Sequence, residues 1–282
     1  MSRWIAKGLR SGVHTTRFPS AAATATAEEG APSTVQVRWQ GLTPAVALAA
    51  SSLCPTAALS TSGAELAGEL RFDAGACVLC GRCTREFPSA FTAVSDPRVA
   101  VQSRDHLRAT FRWNEEKELA PVALQAEVAA LERATSQLFR HSLHIRHVDA
   151  GSCNGCESEL QMLSSPYVDL HRLGLFFTPT PRHADALLVT GVVTTNMKEA
   201  LLDTYAAMPS PKLVIAAGAC AISCGSFQGS PMSKGPLDQL LPVDAYIPGC
   251  PPTPQALLHG LLLAVGRARE RYRAGEEELD GA

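Results

Sequence analysis

No apolar run in this 282-residue chain reaches the roughly 18 to 20 residues that a membrane-spanning helix needs. The longest candidate, residues 256–265, is interrupted by His259, so the sequence predicts no span. Net charge is also scarce: 25 Lys and Arg against 27 Asp and Glu leave −2, which excludes nucleic-acid binding driven by charge. No organised nucleophile stands out, and the histidines have no evident partners for bond-making chemistry. A secretory signal is not recognisable either, and this bears on the most informative feature present, nine cysteines. Cysteines in Cys-x2-Cys spacing without such a signal predict metal ligation in a reducing compartment, the cytoplasm, over disulfides. The 46% hydrophobic content supports one or two ordinary cores.

Eight of the nine cysteines resolve into two four-thiolate sets: Cys54, Cys77, Cys80 and Cys83, then Cys153, Cys156, Cys220 and Cys250. The first set resembles half of a two-cluster ferredoxin, whose repeated Cys-x2-Cys-x2-Cys-x3-Cys-Pro runs exchange their fourth ligands. Laid on this chain, run one gives Pro44, Ala47, Ala50 and Cys54, then Pro55, and run two gives Cys77, Cys80, Cys83 and Phe87, then Pro88. The four losses are the whole ligand set of one cluster, and the four survivors are the whole set of the other. An incomplete cage binds its cluster poorly, so such positions are kept or lost together. The small residues of 43–52 are expected to fill the vacated volume. A four-cysteine zinc site is the alternative.

Around these sets the chain divides into a basic amphipathic segment and linker (1–34), a ferredoxin-like single-cluster unit (35–110), a connector (111–142), an α/β cluster domain (143–275) and an acidic tail (276–282). Arg3, Lys7, Arg10 and Arg17, with Trp4, Ile5, Leu9 and Val13 at near-helical spacing, suit an interfacial helix against anionic lipid or a membrane subunit. A transit peptide or a disordered tail has similar chemistry. The connector is expected to be helical over 115–139, with Pro121 in its first turns. His141, His144 and His147 follow and read as ordinary polar positions of a strand rather than metal ligands.

From residue 143 onward, strand patterns at 143–148, 174–178, 186–192, 212–217 and 245–248 alternate with helical ones at 157–163, 197–208 and 254–273. That order predicts an α/β fold, a doubly wound, largely parallel flavodoxin-like sheet, preceded by the small α+β unit. Ligands of such sheets gather beyond the carboxyl ends of the strands. Cys153 and Cys156, Cys220, and Cys250 each follow a predicted strand with glycine close by, so all four are expected to converge. Cys224 is read as a packed spare thiol.

Cys-Asn-Gly-Cys-Glu-Ser-Glu at 153–159, the segment 181–191, Gly-Ala-Cys-Ala at 218–221 and Gly-Cys-Pro-Pro at 249–252 resemble the cluster-bearing small subunit shared by respiratory complex I and membrane-bound nickel-iron hydrogenases. The resemblance implies that Cys153, Cys156, Cys220 and Cys250 hold the cluster nearest a catalytic large subunit, with Glu157 and Glu159 beside that interface. Complex I subunits usually carry adjacent cysteines at the first site, so Cys-x2-Cys points to the hydrogenase branch. The family usually has glycine where Cys224 stands. The implied function is electron relay through two 4Fe-4S clusters, without catalysis on this chain. The implied partners are a nickel-iron hydrogenase-like or quinone-reductase-like large subunit, membrane-anchoring subunits, and a ferredoxin or other electron donor. The implied location is the cytoplasmic face of the cell membrane.

Overall fold

The computed structural model describes residues 31–38, 41–63, 68–113, 119–122 and 141–275, with a few isolated positions besides. In chain order its elements are β1 (Thr34–Val37), α1 (Pro44–Leu53), β2 (Leu59–Gly63), β3 (Gly68–Asp73), α2 (Arg82–Glu86), β4 (Phe91–Val94), β5 (Arg108–Trp113), β6 (Leu119–Val122), β7 (Leu143–Asp149), α3 (Gly155–Met162), β8 (Leu175–Phe177), β9 (Ala186–Thr190), α4 (Lys198–Ala207), β10 (Leu213–Ala217), α5 (Ala219–Ser223), β11 (Ala245–Ile247) and α6 (Pro254–Ala264).

Every residue of β9, β10 and β11 is buried. Their unbroken apolar runs, Ala-Leu-Leu-Val-Thr and Leu-Val-Ile-Ala-Ala, are the composition of strands covered on both faces. They lie in a five-stranded sheet of order β11-β10-β9-β7-β8, parallel at every pairing. The expected α/β sheet is therefore present. The chain places β8 on one side of β7 and β9 on the other, so the crevice of this open sheet opens beyond the end of β7.

The N-terminal unit is made of two βαβ halves, β1-α1-β2 and β3-α2-β4. Antiparallel pairing of β1 with β4 and of β2 with β3 joins them. The α1 helix has a sound start: Pro44 occupies its first turn and Thr43 Oγ1 accepts from Val46 N at 3.3 Å. Ala47 and Ala50 are completely buried along it. β5 continues to Trp113, and β6 pairs with it antiparallel.

Two helix expectations need correction. Residues 119–122 of the expected connecting helix form strand β6, with Pro121 opposite Phe111 on β5. β6 is the outer strand of the order β2-β3-β5-β6, where a proline without an N–H donor is tolerated. Residues 115–118 and 123–138 of that helix lie outside the described residues, as do fourteen of the twenty residues of the expected amphipathic segment 1–20. The closing helix ends at Ala264, nine residues before the expected 273. Gly266 takes φ +68° there, its N–H bonding to Leu263 O at 3.0 Å and that of Arg267 to Leu262 O at 2.8 Å, a glycine stop that satisfies the last carbonyls. Among the described residues no helix is long and apolar enough to cross a membrane.

The two units share one apolar core. Val101 exchanges backbone hydrogen bonds with Tyr246 of β11 at 3.0 and 2.8 Å, so the N-terminal unit borders the edge of the parallel sheet.

Candidate metal centres

Cys54 is the C-cap of α1, Cys77 and Cys80 lie in the turn between β3 and α2, and Cys83 lies in α2. All four line one cavity with Val35, Ala50 and Phe72. Burial pushes the Cys77 thiol up to about 12, and Cys83, Cys54 and Cys80 add to the shift. Burial, followed by the charge of Cys80, also raises Cys83. Cys80 is exposed, so the set opens to the surface on that side.

The second set is assembled from three strand ends. Cys153 and Cys156 follow β7, Cys220 lies on α5 immediately after β10, and Cys250 follows β11. Backbone bonds draw these ends together: Gly218 N donates to Ile247 O at 2.8 Å and Ala219 N to Gly249 O at 2.9 Å. Gly218 has φ +87°, and a Cβ there would fall 2.8 Å from Cys156 Sγ, so the backbone passes close under that thiol only because the residue is glycine. Burial pushes Cys156 up to about 12 and Cys220 up to about 11, and it raises Cys250. In each case other thiols of the set add to the effect. The parallel pairing of β7, β9, β10 and β11 puts the segments that carry Cys153, Cys156, Cys220 and Cys250 beyond the same edge of the sheet. Among the described residues, no group of three or more His, Cys, Asp or Glu side chains forms a site for a single metal ion.

Residues 153–264 match the sequence family described as NADH ubiquinone oxidoreductase, 20 Kd subunit. The probable membrane-bound hydrogenase subunit mbhJ of Pyrococcus furiosus is 44% identical over 143 residues, which is 50% of this chain and 86% of that protein. The chain belongs to this family. Formate hydrogenlyase subunit 7 of Escherichia coli is 40% identical over 161 residues, covering 57% of this chain and 63% of that protein. An NADH-quinone oxidoreductase subunit of Geobacter metallireducens is 45% identical over 107 residues, covering 38% of this chain and 62% of that one. The chain thus spans somewhat under two thirds of the length of these last two relatives. Among solved structures, a chain of the archaeal membrane-bound sulfane sulfur reductase shares 34% identity, with a TM-score of 0.42, over 48% of this chain and 75% of that one.

The 20 Kd subunit match takes in Cys153, Cys156, Cys220 and Cys250 and leaves out Cys54, Cys77, Cys80 and Cys83. Within the family segment, Glu157 is more enclosed than the sequence alone conveyed. Its carboxylate accepts from Ser152 Oγ at 2.7 Å and from Thr190 Oγ1. His147 Nε2 lies 2.8 Å from the same threonine hydroxyl. Burial lowers the His147 pKa, against the opposing charges of Glu157 and Asp149. A cavity of about 580 Å³ opens alongside, lined by Arg146, His147, Glu157, Gln161 and Phe177. His144 instead stacks on Phe176 at the surface. The alternation of β7 would have separated these two histidines, since residues 144 and 147 fall on opposite faces. Cys224 is buried and holds φ +68°, with Ser233 Oγ donating to its Sγ at 3.3 Å. This left-handed backbone is one that glycine adopts without strain and other residues adopt rarely.

Proposed function

We propose that the chain is the electron-transfer subunit of a membrane-associated, hydrogenase-like complex. Cys54, Cys77, Cys80 and Cys83 would hold one 4Fe-4S cluster, and Cys153, Cys156, Cys220 and Cys250 a second. The observation that carries this reading is the gathering of four thiols from separate strand ends around the switch point of the sheet. The donor set suits the group: each site offers four soft sulfurs, and Gly218 leaves backbone room beside Cys156. When bound, such clusters supply reversible one-electron transfer.

The chain's own contribution is to hold the sulfurs and to set their charge by burying Cys77 and Cys156 more deeply than Cys80 and Cys153. Burial pushes the Cys77 and Cys156 thiols up to about 12, so each would have to give up a proton to serve as a thiolate ligand, and metal loading would be coupled to proton release. Val35, Ala50 and Phe72 give the first site apolar walls. Exposed Met162, Phe227 and Met232 lie on the segments that leave Cys156 and Cys220, an apolar surface suited to a large-subunit partner. Membrane-anchoring subunits, and a ferredoxin or similar donor, complete the proposed assembly on the cytoplasmic face of the membrane.

Iron analysis and electron paramagnetic resonance on the purified complex test the assignment. The expected result is about eight irons per chain, with about four lost and one signal missing in Cys80→Ser while the other signal stays intact. Zinc in place of iron at both sites would overturn it and make the chain a structural metalloprotein. A second reading, a complex I-like quinone oxidoreductase without nickel, is favoured by the likeness to the NADH-quinone oxidoreductase subunit. The Cys-x2-Cys at 153–156 favours the hydrogenase-like reading, and a complex free of nickel would decide for the other.

A further inference from the structure

The two thiolate sets belong to different units, yet the loop that leads into one touches the helix that carries part of the other. Ser223, at the end of α5, donates its hydroxyl to the carbonyl of Gly75 at 3.0 Å. The single hydroxyl proton is shared with Ala219 O at 2.9 Å, one turn back on the same helix, and the hydroxyl oxygen accepts from Gly225 N at 3.3 Å. Gly75 lies two residues before Cys77, and Ser223 three residues after Cys220. On the loop side, Gly75 N donates to Asp73 Oδ1 at 2.8 Å. The Asp73 carboxylate is gripped at both oxygens by the Arg104 guanidinium, at 2.8 and 2.6 Å.

This junction has no room for a side chain at residue 75. A Cβ there would fall 2.7 Å from Ile222 Cγ2 and against the guanidinium of Arg104. Neither neighbour is free to move: Ile222 is buried, and Arg104 is fixed by its paired bonds to Asp73, the strong bidentate geometry of such pairs. Of the other contacts across the seam, Val101 with Tyr246 reaches the strand that leads to Cys250 but starts from a stretch without cysteine, while His106 with Glu270 and Thr34 with Tyr272 join stretches that carry none. The Gly75–Ser223 contact joins two that lead directly to cysteines.

We propose that the Gly75–Ser223 junction sets the separation and mutual orientation of the two thiolate sets and provides a bonded link between them. The link runs from Cys77 through Ala76 to the Gly75 carbonyl, across one hydrogen bond to Ser223, and back along one turn of α5 to Cys220. Both are positioning residues, and the inference rests on the assignment of a cluster to each set.

The test uses the full chain in its purified complex, chemically reduced, with the spin–spin splitting between the two paramagnetic signals as the readout. Gly75→Ala is expected to keep the iron content and both signals while the splitting is lost. Ser223→Ala removes the bond without inserting a wedge, and it is expected to diminish the splitting and speed amide exchange over 74–77. Unchanged splitting in Ser223→Ala and Gly75→Ala, both signals being at full intensity, would overturn the proposal. So would two intact wild-type signals that show no splitting. If Gly75→Ala fails to fold, the Ser223→Ala splitting alone decides. A wild-type chain without iron would instead sink the cluster assignment, a separate failure read from the metal analysis.

Discussion

Cys153, Cys156, Cys220 and Cys250 ride on the ends of parallel strands, of which β9, β10 and β11 are buried along their whole length. Cys54, Cys77, Cys80 and Cys83 sit on the turn and short helices of a unit built from a two-stranded and a four-stranded antiparallel sheet. In the first case the fold supports the site, because a hydrophobic sheet core positions the thiols whether or not a metal is bound. In the second the site supports the fold, because a small unit has less apolar area to offset its chain entropy and leans on its metal. The two proposed clusters would then differ in what their removal does to the chain.

The largest expected effect tests that contrast directly. Cys77→Ser should release the first iron set and leave the N-terminal unit open to proteolysis. Cys153→Ser should release the second set while the α/β sheet stays folded. Limited proteolysis with iron analysis on both variants reads the outcome, and equal susceptibility of the two variants would break the comparison.

A smaller effect centres on a helix of the α/β unit, where Asp96 and Arg98 of the N-terminal unit also act on the group concerned. His259 lies on α6, buried, with Nε2 3.2 Å from Arg269 O and no partner at Nδ1 among the described residues. Burial lowers its pKa from 6.5 to about 4. Because the folded value is depressed, the neutral ring's contribution is fully present above pH 6.5 and is lost as the pH falls toward 4. The difference amounts to roughly 3 kcal/mol at about 1.36 kcal/mol per unit. Denaturant unfolding of wild type between pH 7 and 4 should show this slope, and His259→Leu should flatten it. An unchanged slope in the variant would place the acid sensitivity elsewhere.

The sheet was legible because each buried strand is a short apolar run bounded by glycine or proline. The second cysteine set was legible because Cys220 and Cys250 follow such runs and Cys153 and Cys156 follow the alternating strand β7. Less legible was the fate of the lost ligands. Filling by small residues was the expectation, and Ala47 and Ala50 do fill buried space, but the backbone changed as well. Shifted by the 33 residues that separate Pro44 from Cys77, α2 corresponds to 49–53, whereas α1 begins at Pro44. The stretch equivalent to the ligand loop 77–81 is therefore helical. A loop wrapped round a cluster points its amides at sulfides, and without that cluster they need other partners, which a helix supplies. The signal was present in Thr43-Pro44 followed by an alanine-rich run, a capped helix start. The strand at 119–122 was hidden for the opposite reason: it is an edge strand whose pairing with β5 is a tertiary choice that local periodicity does not carry.

If α1 took over from a ligand loop, its packing and capping should matter independently of iron. Ala47→Leu forces a larger side chain into a completely buried position and should cost about 1–3 kcal/mol, measured as a lowered unfolding midpoint of the N-terminal unit.

The smallest expected effect is the sharpest on this point. Thr43→Ala removes the hydroxyl that accepts from Val46 N at 3.3 Å and should cost about 1 kcal/mol. A residue that served the metal would lose its importance once the metal was gone, whereas a helix cap acts through the backbone alone. The Thr43→Ala penalty should therefore be the same in iron-loaded chain and in the Cys77→Ser background, as long as α1 is still formed there by circular dichroism. A penalty seen only with iron bound would tie α1 to the cluster site and return the N-terminal unit to a fold organised throughout by its metal.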